Sequence, residues 1–205
     1  MSKLEKETPV HQPLPIVKAP PGTGFCEPET YSLVRGDSPA LSVMTDFKKV
    51  SVATIGPDVP LNVATQTMIS RGVRLLLVVN RDDEVLGVIT ARDTTGERPI
   101  QMVQRLGGKF NDLLVRDLMC PREDIDLIMI DEVLRAKVVD IVTTLQTLKR
   151  QHALVGERDP LTGRMRIRGI FSATQIGRQL GAPIQTFDVA STFNEIESYL
   201  AREST

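Results

Sequence analysis

The chain has 205 residues, 41% of them apolar and 25% charged, with a net charge of −1. That length holds one ordinary domain or two small ones, and the near-neutral balance removes the electrostatic case for bulk nucleic-acid binding. No apolar run is long enough to span a bilayer, the N-terminus has no signal-peptide core, and two cysteines (Cys26, Cys120) suit a reducing compartment, so a cytoplasmic protein is expected.

Residues 1–40 hold seven of the thirteen prolines and no sustained period, which predicts an extended or irregular arm. Ile16, Val17, Phe25, Tyr31, Leu33 and Val34 are apolar enough to lay that arm along a core. "PPGTG" lacks the Lys-Ser/Thr ending of a phosphate loop, and "RGD" at Arg35–Asp37 is three common residues in a row.

From about Ala40 to Leu180 the chain repeats itself. Leu61, Ala64 and Met68 recur as Val138, Ile141 and Leu145, 77 positions on, and both sets mark one face of a helix. Pro60 suits the first turn of the earlier helix and Gly72 its end. Leu76–Val78 matches Ala153–Val155, and each run enters a turn, "NRDDE" or "ERDPLTG", followed by a second strand. Met44 and Met119 are counterparts ahead of the two units. Each unit reads strand, helix, strand, strand, helix, and such a βαββα unit covers its small sheet only by packing against another. The expected organisation is an arm (1–40), two repeats (41–112 and 113–182) and a tail (183–205). In the tail, Phe193, Ile196 and Leu200 form an amphipathic stripe that docks on the pair or on a second subunit.

Two stretches end the strand pairs, "GVITARD" (Gly87–Asp93) and "GIFSATQ" (Gly169–Gln175). One reading is a helix cap. Thr90 with Asp93, and Ser172 with Gln175, have capping-box spacing, and the glycines mark close backbone approach. The other is a binding site. A helix start behind a strand offers free amides to a phosphate, Thr90 adds a hydroxyl, and Asp93 can accept both hydroxyls of a ribose. Gln175 is the poorer diol acceptor, so a second site would be weaker or empty. Spacing alone leaves both readings open.

The stretch "PLNVATQTMISRGVRLLLVVNRDDEVLGVITARD", Pro60–Asp93, closely resembles a CBS domain, and Met44 to about Leu180 resembles a tandem CBS pair, or Bateman module. The resemblance implies an α/β fold of two repeats related by a pseudo-twofold axis, with two clefts that take adenosine compounds. It matches Gly87, Thr90 and Asp93 in full to the family's Gly-h-x-Ser/Thr-x-x-Asp motif, which contacts phosphate and ribose. In the second repeat it matches Gly169 and Ser172 but meets Gln175 where Asp is expected. It also implies an adenine pocket near Ala53, Thr54 and Ile55, whose other reading is strand packing; Arg74 and Arg92 are either phosphate contacts or solvated surface arginines. Arg164, Arg166 and Arg168 share one strand face, read as protection of an edge strand.

Catalysis finds little support, because His11 and His152 have no Cys or His at metal spacing and no nucleophile motif is present. The function implied is a non-enzymatic sensor, with no required cofactor, for AMP, ADP, ATP or S-adenosylmethionine. It would signal to an effector protein or through a homodimer. The other class of function is a constitutive interaction module that binds no ligand.

Overall fold

The computed structural model describes residues 14–24, 34–182 and 189–203. Contacts divide the chain into a unit from Met1 to Ser32 and a unit from Leu33 to Thr205. In the first, residues 14–24 are extended apart from a turn, where the Thr23 amide and hydroxyl both donate to the Pro20 carbonyl. Ile16 and Val17 are 93% exposed. Phe25, Tyr31 and Leu33 lie outside the described residues, whereas Val34 packs on a core.

The second unit contains two four-stranded sheets. In chain order it runs β1 (Thr45–Asp46), β2 (Thr54–Ile55), α1 (Leu61–Arg71), β3 (Leu75–Val79), β4 (Val85–Thr90), α2 (Ala91–Thr94), α3 (Glu97–Leu106), α4 (Val115–Leu118) and β5 (Cys120–Pro121). It continues with β6 (Leu127–Met129), α5 (Ile130–Val133), α6 (Val138–Thr147), β7 (His152–Arg158), β8 (Met165–Ser172), α7 (Ala173–Leu180) and α8 (Val189–Glu203). Helix α1 buries Leu61, Ala64 and Met68 and closes on Gly72 at φ 63°; α6 buries Val138, Ile141 and Leu145 together with Val142. Full burial of each Leu or Ile contributes about 1.5–3 kcal/mol, so these stripes anchor the helices.

One sheet has the order β2-β3-β4-β5 and the other β6-β7-β8-β1. In each, the repeat supplies a parallel first pair and an antiparallel hairpin. The fourth strand comes from the segment that leads into the other repeat. β1, at the head of the first repeat, pairs with β8 through Thr45↔Ile170 and Asp46↔Gly169. β5, at the head of the second, pairs with β4 through Gly87↔Pro121 and Val88↔Cys120.

The helical layers repeat the exchange. Pro39 bridges to Lys137, and the Val138 amide donates to Ser38; Pro60 bridges to Leu114, and the Leu61 amide donates to Leu113. Ala40, Val43 and Met44 therefore enter the core of the second repeat, and Leu113, Val115 and Leu118 that of the first. A third apolar cluster, centred on Leu77, Val88 and Leu154, joins the facing sheets. Phe193 and Ile196 of α8 close the second repeat's core, where α8 lies against α7.

The two glycines ahead of the motifs follow from the exchange. A Cβ on Gly87 would lie 2.4 Å from the Cys120 carbonyl oxygen, and one on Gly169 2.6 Å from that of Thr45. The sulfurs of Met119 and Met44 sit beside the same two points, at 3.1 and 3.0 Å. These positions have no room for a side chain.

Strand β8 is interior to its sheet, so its arginines do not guard an edge as expected from sequence. Arg168 pairs with Asp46 and, at 3.3 Å, with Glu157; Lys48 reaches Glu157 at 2.8 Å, and Arg166 pairs with Asp159 at 2.9 Å. The cluster fastens β1 to the β7–β8 hairpin. Burial alone would raise the Asp46 carboxyl, but the Lys48 amide and Arg168 outweigh it and hold it below its ordinary value.

Candidate ligand cleft between the repeats

Strand β4 ends at Thr90, and α2 begins at once on Ala91. Asp93, in the first turn, folds back on Thr90: its Oδ2 accepts the Thr90 amide at 2.9 Å and the Thr90 hydroxyl at 2.6 Å. The hydroxyl is turned toward the carboxylate. The other oxygen, Oδ1, accepts from the guanidinium of Arg98. Asp93 is buried, with its side chain only 12% exposed, while that of Arg98 is 55% exposed.

This group opens into a cavity of about 1130 Å³. One wall is first-repeat: Arg74, Leu75, Val88, Thr90 to Asp93, and Thr95 to Arg98. The other is second-repeat: Cys120, Asp124 to Ile128, and Leu148 to Leu154. Leu75, Val88, Leu127 and Leu154 give the lining an apolar part, which belongs to the cluster that joins the facing sheets. Five basic residues (Arg74, Arg92, Arg98, Lys149, Arg150) and four acidic ones (Asp93, Glu97, Asp124, Asp126) also line it. Arg150 is tied to Asp126 at 3.0 Å.

Arg74 donates to the Thr174 hydroxyl at 2.7 Å and to Gln151 Oε1 at 3.2 Å, so it links the cavity to the start of α7. Burial, and then Arg178, act against its charge and make an anion welcome beside it. His152 is held neutral: burial first, then Arg74, lower it to about 4. Burial, with Asp124 after it, raises the Cys120 thiol, so a reactive thiolate is not favoured there.

Of the residues singled out from sequence, Thr90, Asp93, Arg74 and Arg92 meet in this cavity. Gly87 does not line it, because its position is set by the approach of β5. Thr54 and Ile55 do not line it either; Ile55, with Ala53 against it, belongs to the core of the first repeat. Facing sheets bring Leu127 and Ile128, the second repeat's counterparts of Thr54 and Ile55, opposite the first repeat's motif. Ser172 and Gln175 also lie elsewhere: Gln175 is exposed, and no capping bond from Ser172 closes the start of α7. Sequence reading missed Arg98, Lys149 and His152. A basic residue in the first turn of a helix was the available signal for Arg98, since the helix dipole disfavours it there.

A family model described as CBS domain matches residues 41–95, the span that contains Thr90 and Asp93. The chain contains a CBS domain. The second CBS-type repeat shares its strand order, strand exchange and glycine contact. Inosine-5'-monophosphate dehydrogenase from Thermoplasma acidophilum is 26% identical over 138 residues, which are 67% of this chain and 27% of that enzyme. The same enzyme from Methanocaldococcus jannaschii is 27% identical over 121 residues, 53% of this chain and 23% of the enzyme. This CBS-domain chain thus spans about a quarter of the curated relatives it matches. An uncharacterized conserved protein from Pyrococcus horikoshii has the same fold, with a TM-score of 0.52 at 18% identity over 75% of this chain and 99% of that one. Among the described residues, no helix is long and apolar enough to cross a membrane, and no three His, Cys, Asp or Glu side chains are grouped to hold a metal ion.

Proposed function

We propose that the chain is a regulatory sensor that binds an adenosine-containing nucleotide in the cleft of the first repeat, without chemistry of its own. One observation carries the reading: the Thr90–Asp93 pair opens into a cavity whose lining combines apolar residues (Leu75, Val88, Leu127, Leu154) with Arg74 and Arg92. The apolar part suits adenine, Asp93 accepts the ribose hydroxyls, and Thr90 with the arginines faces phosphate. AMP, ADP, ATP and S-adenosylmethionine are the candidate ligands. The likeness to about a quarter of a dehydrogenase's length accords with a regulatory part rather than a catalytic one. Occupancy signals only where the ligand prefers one arrangement of the repeats over another. The arrangement is read out by an effector protein or a second copy.

The reading is tested by ligand-induced thermal shift. A ligand at ~100 times its dissociation constant stabilises the fold by about 2.7 kcal/mol, and each kcal/mol moves a chain of this size by about 2–4 °C. The shift in the wild type should vanish in Asp93→Ala. That variant also loses the Thr90 cap and its bond to Arg98, so the increment on adding ligand, not the absolute melting temperature, is the readout. The second reading, a ligand-free interaction module, is favoured by the bond that already occupies Asp93 Oδ1. It predicts no increment with any of the four ligands.

A further inference from the structure

Two basic residues of the cavity occupy positions that their own backbone disfavours. Arg98 is the second residue of α3, whose first turn carries the positive end of a ten-residue helix. Lys149 has φ 53°, in the left-handed region, at the position where the first repeat has Gly72. Glycine takes that conformation freely and lysine does not. Neither placement is explained by the stability of its element, and both residues line the same cavity.

Arg98 also restricts what can enter. It holds Asp93 Oδ1, so a ribose reaches the carboxylate only by displacing a guanidinium with neutral hydroxyls. The Arg98 side chain is 55% exposed, but its departure would take from the buried Asp93 the cation that pairs with it. A nucleoside offers nothing to retain Arg98, and a sulfonium repels it. A phosphate on the same ligand recaptures it.

We propose that Arg98 and Lys149 set the charge specificity of the first cleft, admitting adenosine compounds that carry a phosphate and rejecting the bare nucleoside and the sulfonium. This rests on the reading that the cleft takes an adenosine compound. Charge-assisted bonds of this kind discriminate by about 10- to 100-fold in affinity.

The test is calorimetric titration of AMP, adenosine and S-adenosylmethionine into the full-length wild type, Arg98→Ala and Lys149→Gly. Lys149→Gly removes the charge and relieves the backbone, so it raises the melting temperature and cannot fail for want of folding. The wild type should bind AMP at least ~10-fold tighter than adenosine or S-adenosylmethionine. Each variant should lower the AMP-to-adenosine ratio by at least about threefold, with adenosine binding unchanged or tighter in Arg98→Ala. An unchanged ratio in both variants overturns the proposal and leaves the cleft a nucleotide site. So does a wild type that prefers the sulfonium. Absence of binding by all three compounds, and by ADP and ATP, to all three folded proteins removes the nucleotide reading itself, and the proposal with it.

Discussion

Replacing Gly87 by alanine separates the two meanings of the first motif. The added Cβ would stand 2.4 Å from the Cys120 carbonyl oxygen, where contacts under 3.0 Å are essentially never found. Strand β5 must retreat by at least ~0.6 Å, which well-packed surroundings resist at a cost of about 1–3 kcal/mol. The Met119 sulfur, 3.1 Å from the same point, must move as well, and β5 is held in its sheet by only two residue pairs. The upper half of that range is therefore expected, about 2–3 kcal/mol. For a protein of this size that lowers the melting temperature by about 4–12 °C. Differential scanning fluorimetry with and without AMP measures both stability and the ligand increment. Gly169→Ala should fall by a similar amount, since its Cβ meets Thr45 at 2.6 Å, whereas Gly56→Ala, with only Val59 at 3.6 Å, should stay within ~1 °C. A Gly87→Ala protein with unchanged melting temperature and a lost AMP increment would refute the packing argument and return Gly87 to the ligand site.

Arg168→Ala leaves the buried Asp46 facing Glu157 without its cation; a loss on the order of 2 kcal/mol is expected, measured by urea unfolding. Because the Asp46 carboxyl sits below its ordinary value of 3.8, its contribution is complete above that value and lost as pH falls through the folded one. Arg168→Ala should accordingly flatten the wild type's decline below about pH 4. His152 carries the opposite kind of group into a milder range. Its depressed value, about 4, means that the unfolded chain takes up the proton first, so stability falls from about pH 6.5 downward by roughly 2 kcal/mol at pH 5. His152→Gln should remove that slope between pH 7.5 and 5, and an unaltered slope would assign it to other groups. Ile196→Ala, at a fully buried position, should cost about 2–5 kcal/mol and show that α8 is part of the second repeat's core.

Much of the fold was legible because repetition and helical period are local signals. The 77-residue offset, the buried stripes of α1 and α6, and the Met44–Met119 correspondence all lie in short windows. The exchange of β1 and β5 was not legible. Each strand is two residues long, too short for any period, and its partner lies far along the chain. The candidate site divides in the same way. Thr90 and Asp93 are the two ends of one four-residue turn and could be read together. Leu127, Leu154 and Lys149 enter only because the sheets face each other, and a motif read within one repeat assigned that wall to Thr54 and Ile55 instead. Arg98 is close in sequence, but its meaning comes from the bend between α2 and α3 that returns it to Asp93.

The exchanged strands also fix an order of events during synthesis. Strand β1 leaves the ribosome early, yet the residues it pairs with, Gly169 and Ile170, follow about 125 residues later. At about 5–20 residues per second, β1 waits roughly 6–25 s for its partner. The first sheet waits less, because β5 follows β4 by about thirty residues. The repeat made first therefore completes first. The segment leading into the first repeat remains an unpaired strand, with Val43 and Met44 uncovered, until nearly the whole pair has been translated. Nascent chains halted before residue 165 should expose that strand to chaperones, while chains halted well after residue 180 should not.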